Sequence, residues 1–224
     1  MSSPISSNSN LYIINTSSEK KYYFSDEASL NIVHKNKLNV LKNNFKKIYS
    51  VDTSNNFLIQ PKDLSNELKK INFRETINID KYLTEKKDDI SKNTQIVFFY
   101  NQNNFISSKK NTNHIGEIIL KESFKSDKID PLVTVIFFKN KVFISITKKN
   151  KILFYNQFEY YDNNYIKYIL LVFEEYKLDR LKQFVNIIDG DSKSSNKKKE
   201  LDNYFVKINF NKKSIFEIIS KFYG

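Results

Sequence analysis

Asp189-Gly190-Asp191-Ser192 directly follows the apolar run Phe184–Ile188, and it is the stretch best suited to chemistry. A strand running into Asp-Gly is a weak signal of a ligand-binding loop. The same residues also make an ordinary strand-ending turn, which is the better explanation on the turn chemistry of Asp and Gly. Just downstream, Lys193, Lys197, Lys198 and Lys199 form the densest basic run, next to Tyr204 and Phe205. Lysines beside aromatics can contact RNA or an acidic protein, and a solvated helix face explains them equally well. Glu159, Asp162, Asp189 and Asp191 are the candidate carboxylates for two-metal hydrolysis, which requires several of them to converge. Asp162 reads better as a helix cap and Asp189 as part of a turn.

The remaining chemistry is excluded more simply. The chain has no Cys, so disulfides, thiolate-bound zinc, iron–sulfur clusters and cysteine nucleophiles are ruled out. His34 and His114 have no partners at zinc spacing and read as surface or loop histidines. There is neither a Gly-x-Ser-x-Gly elbow nor a Walker loop. The net charge of +12 suits a polyanionic partner. Yet only Arg74 and Arg180 are arginines, the usual readers of phosphate forks and guanine edges. A Lys-, Asn- and Ile-rich composition also follows from A/T-rich codons, so the surplus is read chiefly as a solvated lysine surface. Met1–Asn10 lacks the basic-then-apolar pattern of a secretory signal, and no apolar run approaches a membrane span. The expectation is a cytoplasmic protein without membrane insertion.

Any such residues must be positioned by the elements of the chain. Leu11–Asn15 and Lys21–Phe24 read as short strands, and the spacing of Leu30, Val33, Leu38, Leu41 and Phe45 is broadly helical. Phe57–Gln60 reads as a strand, with Pro61 opening a helix over Lys62–Ile71. Gln95–Tyr100 is a strong strand, and Ile115–Phe124 is a helix or a strand. Leu132–Phe138, Lys141–Thr147 and Ile152–Tyr160 form a meander with hairpin-length connections, the middle run alternating so that one face is less buried. Then come a helix after Asp162 or Asn163, a strand at Phe184–Ile188, a helix at Asn196–Tyr204, a strand at Val206–Phe210 and a terminal helix. This is the order of one ribonuclease-H-like lobe, and the first half reads as a reduced version of it.

Phe57-Leu-Ile-Gln-Pro-Lys-Asp-Leu64, Ile152-Leu-Phe-Tyr-Asn-Gln-Phe-Glu-Tyr160 and Tyr165-Ile-Lys-Tyr-Ile-Leu-Leu-Val-Phe173 carry a resemblance. Over Phe57–Phe210 the chain resembles Bacteroidetes proteins of actin-like ATPase fold, a domain family of unknown function. The resemblance implies an α/β, ribonuclease-H-like fold of two lobes: a tail over 1–10, a reduced lobe over 11–125 and a second lobe over 126–224. ATPases of this fold hold phosphates on two glycine-bearing hairpins, each with an Asp, and adenosine on a further glycine pair. This chain has three glycines, Gly116, Gly190 and Gly224. Ile136 and Phe138 stand where the second hairpin's Asp and Gly belong, and the hairpin after Leu11–Asn15 has neither. Asp189–Ser192 falls at the adenosine position. The reading is therefore a non-catalytic scaffold or adaptor with a protein partner, no cofactor and no metal. The alternatives are an RNA- or ribosome-associated accessory protein and a nucleotide binder without hydrolysis.

Overall fold

The computed structural model describes residues 9–16, 20–25, 30–33, 45–63, 75, 79–104, 111–124, 131–149, 151–190 and 196–224. The chain divides into two compact units, 1–118 and 119–224. In the first, β1 (Asn10–Asn15), β2 (Lys20–Ser25), β3 (Leu30–Val33), β4 (Lys47–Asp52) and β8 (Thr112–His114) form a sheet in the order β3-β2-β1-β4-β8. The first three strands are an antiparallel meander, and β4 and β8 continue parallel to β1. Between β4 and β8 the chain makes a second sheet of β5 (Phe57–Pro61), β6 (Thr84–Asp89) and β7 (Thr94–Tyr100), ordered β5-β7-β6.

Helix α1 (Ile115–Ser123) spans the division between the units. The second unit opens with the meander β9 (Leu132–Phe138), β10 (Lys141–Lys148) and β11 (Lys151–Glu159). It continues through α2 (Asn164–Glu175), β12 (Phe184–Asp189), α3 (Lys197–Asp202), β13 (Lys207–Asn211) and α4 (Ile215–Tyr223). Its sheet is ordered β11-β10-β9-β12-β13, with β12 and β13 parallel to β9. Counted within each sheet, both five-stranded sheets have the order 3-2-1-4-5. The trimming expected of the first lobe therefore does not extend to its sheet.

Burial explains these elements. On β9, Val133, Val135 and Phe137 face a core shared with Val142, Ile144 and Ile146 of β10 and Val185 and Ile187 of β12. Tyr165, Ile169, Val172 and Phe173 of α2 close that core, together with Leu201 of α3 and Phe205 just beyond it. Each such side chain contributes about 1.5–3 kcal/mol on leaving water. The opposite face of the sheet is also covered: Ile215, Phe216, Ile218 and Ile219 of α4 are buried, and the Phe216 ring meets Phe138 edge-on at 6.4 Å. Hence Phe143, Ser145 and Thr147 are as buried as their neighbours on β10, where the alternation had suggested a wetter face.

Other expectations are corrected. Leu30–Val33 is a strand rather than the start of a helix, because its backbone pairs with β2 at Tyr22–Ser25. Pro61 ends β5, paired with Thr94 at the sheet edge, and does not open a helix; residues 64–74, where most of that helix was expected, lie outside the described residues. Asn163 stands at the N-cap of α2 without a side-chain cap bond, while Asp162 sits in a turn at φ 51°. By contrast α4 has a full capping box between Ser214 and Glu217.

Candidate functional site

Both sheets place polar groups at the carboxyl ends of their central parallel strands, where α/β folds commonly bind ligands. In the first unit the final residues of β1, β4 and β8 are in register: Asn15 pairs with Asp52, and Asp52 with His114. Side chains in register across a sheet share a face, so an amide, a carboxylate and an imidazole form one buried row. The strand ends are pinned to each other. Thr53 donates both its backbone N–H, at 3.1 Å, and its hydroxyl, at 2.9 Å, to the Asn15 carbonyl.

The local bonds decide what this row can do. The Ser54 hydroxyl donates to Asp52 Oδ2 at 2.6 Å. His114 Nδ1 accepts from the Gly116 N–H at 3.0 Å, which leaves the proton on Nε2 to donate to the Ser54 carbonyl at 2.9 Å. Phe57 and Phe98 flank the ring at 4.7 and 5.5 Å. His114 is thus a buried structural histidine with both nitrogens engaged, not a surface residue, and has no lone pair left to act as a base. Asn15 differs: both polar atoms of its buried amide have no partner among the described residues. His34 lies outside the described residues.

The second unit repeats the placement with other chemistry. Asp189 ends β12 and pairs in register with Phe137 of β9, as Asp52 pairs with Asn15. Its side chain is fully buried and meets Lys197 Nζ at 3.5 Å. Lys197 also lies over the Phe137 ring, 4.9 Å from its centre. Gly190 is more than a turn residue: a Cβ there would stand 2.5 Å from the Phe137 carbonyl oxygen. Its N–H donates to that oxygen at 2.8 Å, and its own carbonyl accepts from the Ile215 N–H at 3.1 Å. Glycine therefore locks β9, β12 and the start of α4 together.

The turn between β9 and β10 is closed as well. Lys139 takes φ 56°, unusual without glycine. Its carbonyl accepts from the Tyr160 hydroxyl and the Asn140 carbonyl from the Tyr160 N–H, both at 2.8 Å. Ile136 and Phe138, which lead into this turn on β9, are buried.

The residues singled out in the sequence are dispersed. Asp191, Ser192 and Lys193 lie outside the described residues. Lys197 turns inward to Asp189, Lys198 pairs with Asp202 at 2.9 Å, and Lys199 is exposed. Glu159 meets Lys141 at 3.7 Å. No cluster of three or more His, Cys, Asp or Glu able to hold a metal occurs among the described residues, and no helix among them is long and apolar enough to cross a membrane. Sequence reasoning missed Asn15, Asp52 and the role of His114. Each closes a short strand, and strand register alone brings them together.

Two units, each with a 3-2-1-4-5 sheet and helices packed on the second, define an actin-like fold. No protein-family model matches the chain, and no curated protein matches it. Among solved structures it is similar to a Bacteroides thetaiotaomicron protein with actin-like ATPase fold and unknown function, with a TM-score of 0.75 and 14% identity over 96% of each chain. It is also similar to a PilM–PilN type IV pilus biogenesis complex, with a TM-score of 0.52 and 11% identity over 96% of this chain and 90% of the other. At such identities the likeness is one of fold.

Proposed function

We propose that the protein is a non-catalytic actin-like module that works as a scaffold or adaptor through protein contacts. The observation carrying this reading is the β9–β10 turn, which follows the buried Ile136 and Phe138 and whose Lys139 and Asn140 carbonyls are both held by Tyr160. A phosphate-binding hairpin needs close backbone approach and a carboxylate for magnesium. This turn presents bulky apolar neighbours instead. The Asp189–Gly190 segment supports the same reading, since its carboxylate is buried facing Lys197 at 3.5 Å and its glycine is taken up in strand packing.

Protein contact is supported by exposed apolar side chains on the second unit. Leu181 and Val206 are exposed on neighbouring segments, joined where the Val206 N–H reaches the Arg180 carbonyl at 3.4 Å. Apolar surface of this kind is a common mark of partner binding. The basic run gives less support to RNA binding, because Lys197 faces inward and Lys198 is paired. The pilus neighbour, itself a PilM–PilN complex, shows the fold in a protein assembly.

The test is a thermal-shift titration with ATP, ADP and magnesium, and a separate titration with RNA. A bound ligand raises the melting temperature by mass action. The expected result is no shift in either arm. A nucleotide shift would overturn the proposal in favour of a nucleotide binder, and a salt-sensitive RNA shift in favour of an RNA-associated protein.

A further inference from the structure

The α4-covered face of the second sheet holds polar residues where a sheet with parallel central strands normally buries only aliphatic ones. The buried Ser145 of β10 and Thr134 of β9, the half-buried Asn186 of β12 and the exposed Asn209 of β13 are register partners in one row across four strands. Beside this row lies a cavity of about 460 Å³, a size usual for small-molecule sites. Leu132, Thr134 and Ile136 line it from β9, and Asn186 and Ile188 from β12; Ile119 of α1 adds an apolar wall. Asn211 and Lys212 line it from the exposed side.

The hydrogen-bond inventory of the lining is lopsided. Among its acceptors, Asn186 Oδ1 takes bonds from Asn209 and Asn211 at 3.1 and 3.2 Å. Glu122 meets Lys213 at 3.4 Å and Lys221 at 3.9 Å, and Glu217 caps α4. Donors are left over. Thr134 is 3% exposed, and its hydroxyl has no partner among the described residues, a rarity that calls for an explanation. The Asn186 amide hydrogens and the Lys212 ammonium likewise meet no protein acceptor among those residues. Asn186 stands between the other two groups, in register with Thr134 and bonded to Asn211, the neighbour of Lys212. The N-terminus of α4 adds nothing: its first N–H groups are taken by the Gly190 carbonyl and by Ser214.

We propose that this cavity binds a small monocarboxylate with an aliphatic body. The carboxylate oxygens accept from Thr134, Asn186 and Lys212, and the hydrocarbon lies against Ile119, Leu132, Ile136 and Ile188. An amine would have to displace lysines already on Glu122, and a sugar would leave the aliphatic walls unused. The site is independent of the scaffold reading.

The test is titration of the full chain with hexanoate and 4-methylpentanoate, followed by saturation-transfer NMR and calorimetry, with hexanol and hexylamine as controls of matching body. Millimolar or tighter binding of the carboxylates, with neither control binding, is expected. Thr134→Val and Lys212→Gln should each weaken binding about tenfold or more, as expected on losing a hydrogen bond to a charged group. Thr134→Val should not lower the unliganded melting temperature, since an unpaired hydroxyl is exchanged for a methyl group. Lys212 is exposed, so its variant tests the site even if the core variant misfolds. Absence of carboxylate binding, equal binding of hexanol or hexylamine, or carboxylate binding indifferent to Lys212→Gln would overturn the proposal.

Discussion

The two lobes share one strand order and spend the same position differently. Each ends its fourth strand on a buried aspartate, Asp52 in the first lobe and Asp189 in the second, paired in register with the last or penultimate residue of the first strand. In the first lobe the neighbours are Asn15, Ser54 and His114, and the Asn15 amide is left unsatisfied. In the second they are Phe137, Lys197 and Gly190, and the aspartate becomes part of the packing. Topology fixes where a carboxylate sits, while its immediate neighbours decide whether it is a structural anchor or one member of a polar row. On this contrast the second site should be needed for stability, and the first should tolerate change.

The largest effect is expected at Lys197. Lys197→Met would leave the fully buried Asp189 without its cation, and removing one partner of a buried pair typically costs about 3–5 kcal/mol. Lys197 keeps 15% side-chain exposure, so the lower end, about 3 kcal/mol, is expected in urea unfolding. The double variant Asp189→Asn, Lys197→Met should recover most of that loss. A single variant as stable as the parent would erase the distinction between the lobes.

Gly190→Ala comes next. Its Cβ would meet backbone, the Phe137 carbonyl at 2.5 Å, so strands must shift, and a loss of about 1–3 kcal/mol is expected, as for other overpacked sites. Chemical-shift changes should centre on Phe137 and Ile215. An unperturbed melting temperature would mean that the junction gives way cheaply.

What was legible in the sequence follows the same division. The second lobe could be read almost strand by strand, because Leu132–Phe138 is an apolar block buried on both faces and Phe184–Asp189 carries the buried Val185, Ile187 and Ile188. In the first, β6 is Thr-Glu-Lys-Lys-Asp-Asp and shows no apolar period. It is held by its ladder with β7 and by Lys86, which meets Asp88 at 2.8 Å and lies over the Phe98 ring at 5.8 Å. β4 and the three-residue β8 were likewise invisible, and with them the row that their ends create. Gly190 was visible as a residue but not as a contact, since its carbonyl neighbour lies 53 positions earlier on another strand. The inward turn of Lys197 could not be seen beside the outward Lys198 and Lys199, because a lysine run carries no sign of which member faces a buried acid.

Smaller effects should mark the first lobe. Asp52→Asn keeps an acceptor for Ser54, so a loss of about 1 kcal/mol is expected in unfolding experiments. Asn15→Leu removes an amide whose two polar atoms are buried without partners among the described residues, and should be neutral or stabilising by about 1 kcal/mol. A loss above about 2 kcal/mol, the range of a buried polar group deprived of its bonds, would show that the amide is part of the packing and that the two lobes are alike.

The smallest effect at neutral pH, and one that grows with alkali, concerns the phenols of the second lobe. Burial, aided by its hydrogen bond to the Glu200 carboxylate, pushes the Tyr165 hydroxyl far above its ordinary 10.0, and burial alone pushes Tyr155 well above it. Both groups hold their protons more tightly folded than unfolded. Their contribution is therefore complete below pH 10 and is lost as pH rises beyond it. Half a unit above the unfolded value, each phenol still neutral in the fold has forfeited on the order of 0.8 kcal/mol. Stability followed from pH 9 to 11 should weaken steadily above 10, and the tyrosinate absorbance owed to Tyr165, read as the parent minus Tyr165→Phe, should appear together with loss of structure, apart from that of exposed rings such as Tyr161. Tyr165→Phe should flatten that slope by about one proton. A Tyr165 share of the tyrosinate signal, taken as the parent minus Tyr165→Phe, that rises while the second lobe stays folded would show that this ring opens to solvent and that the second lobe depends less on its packing than the contrast requires.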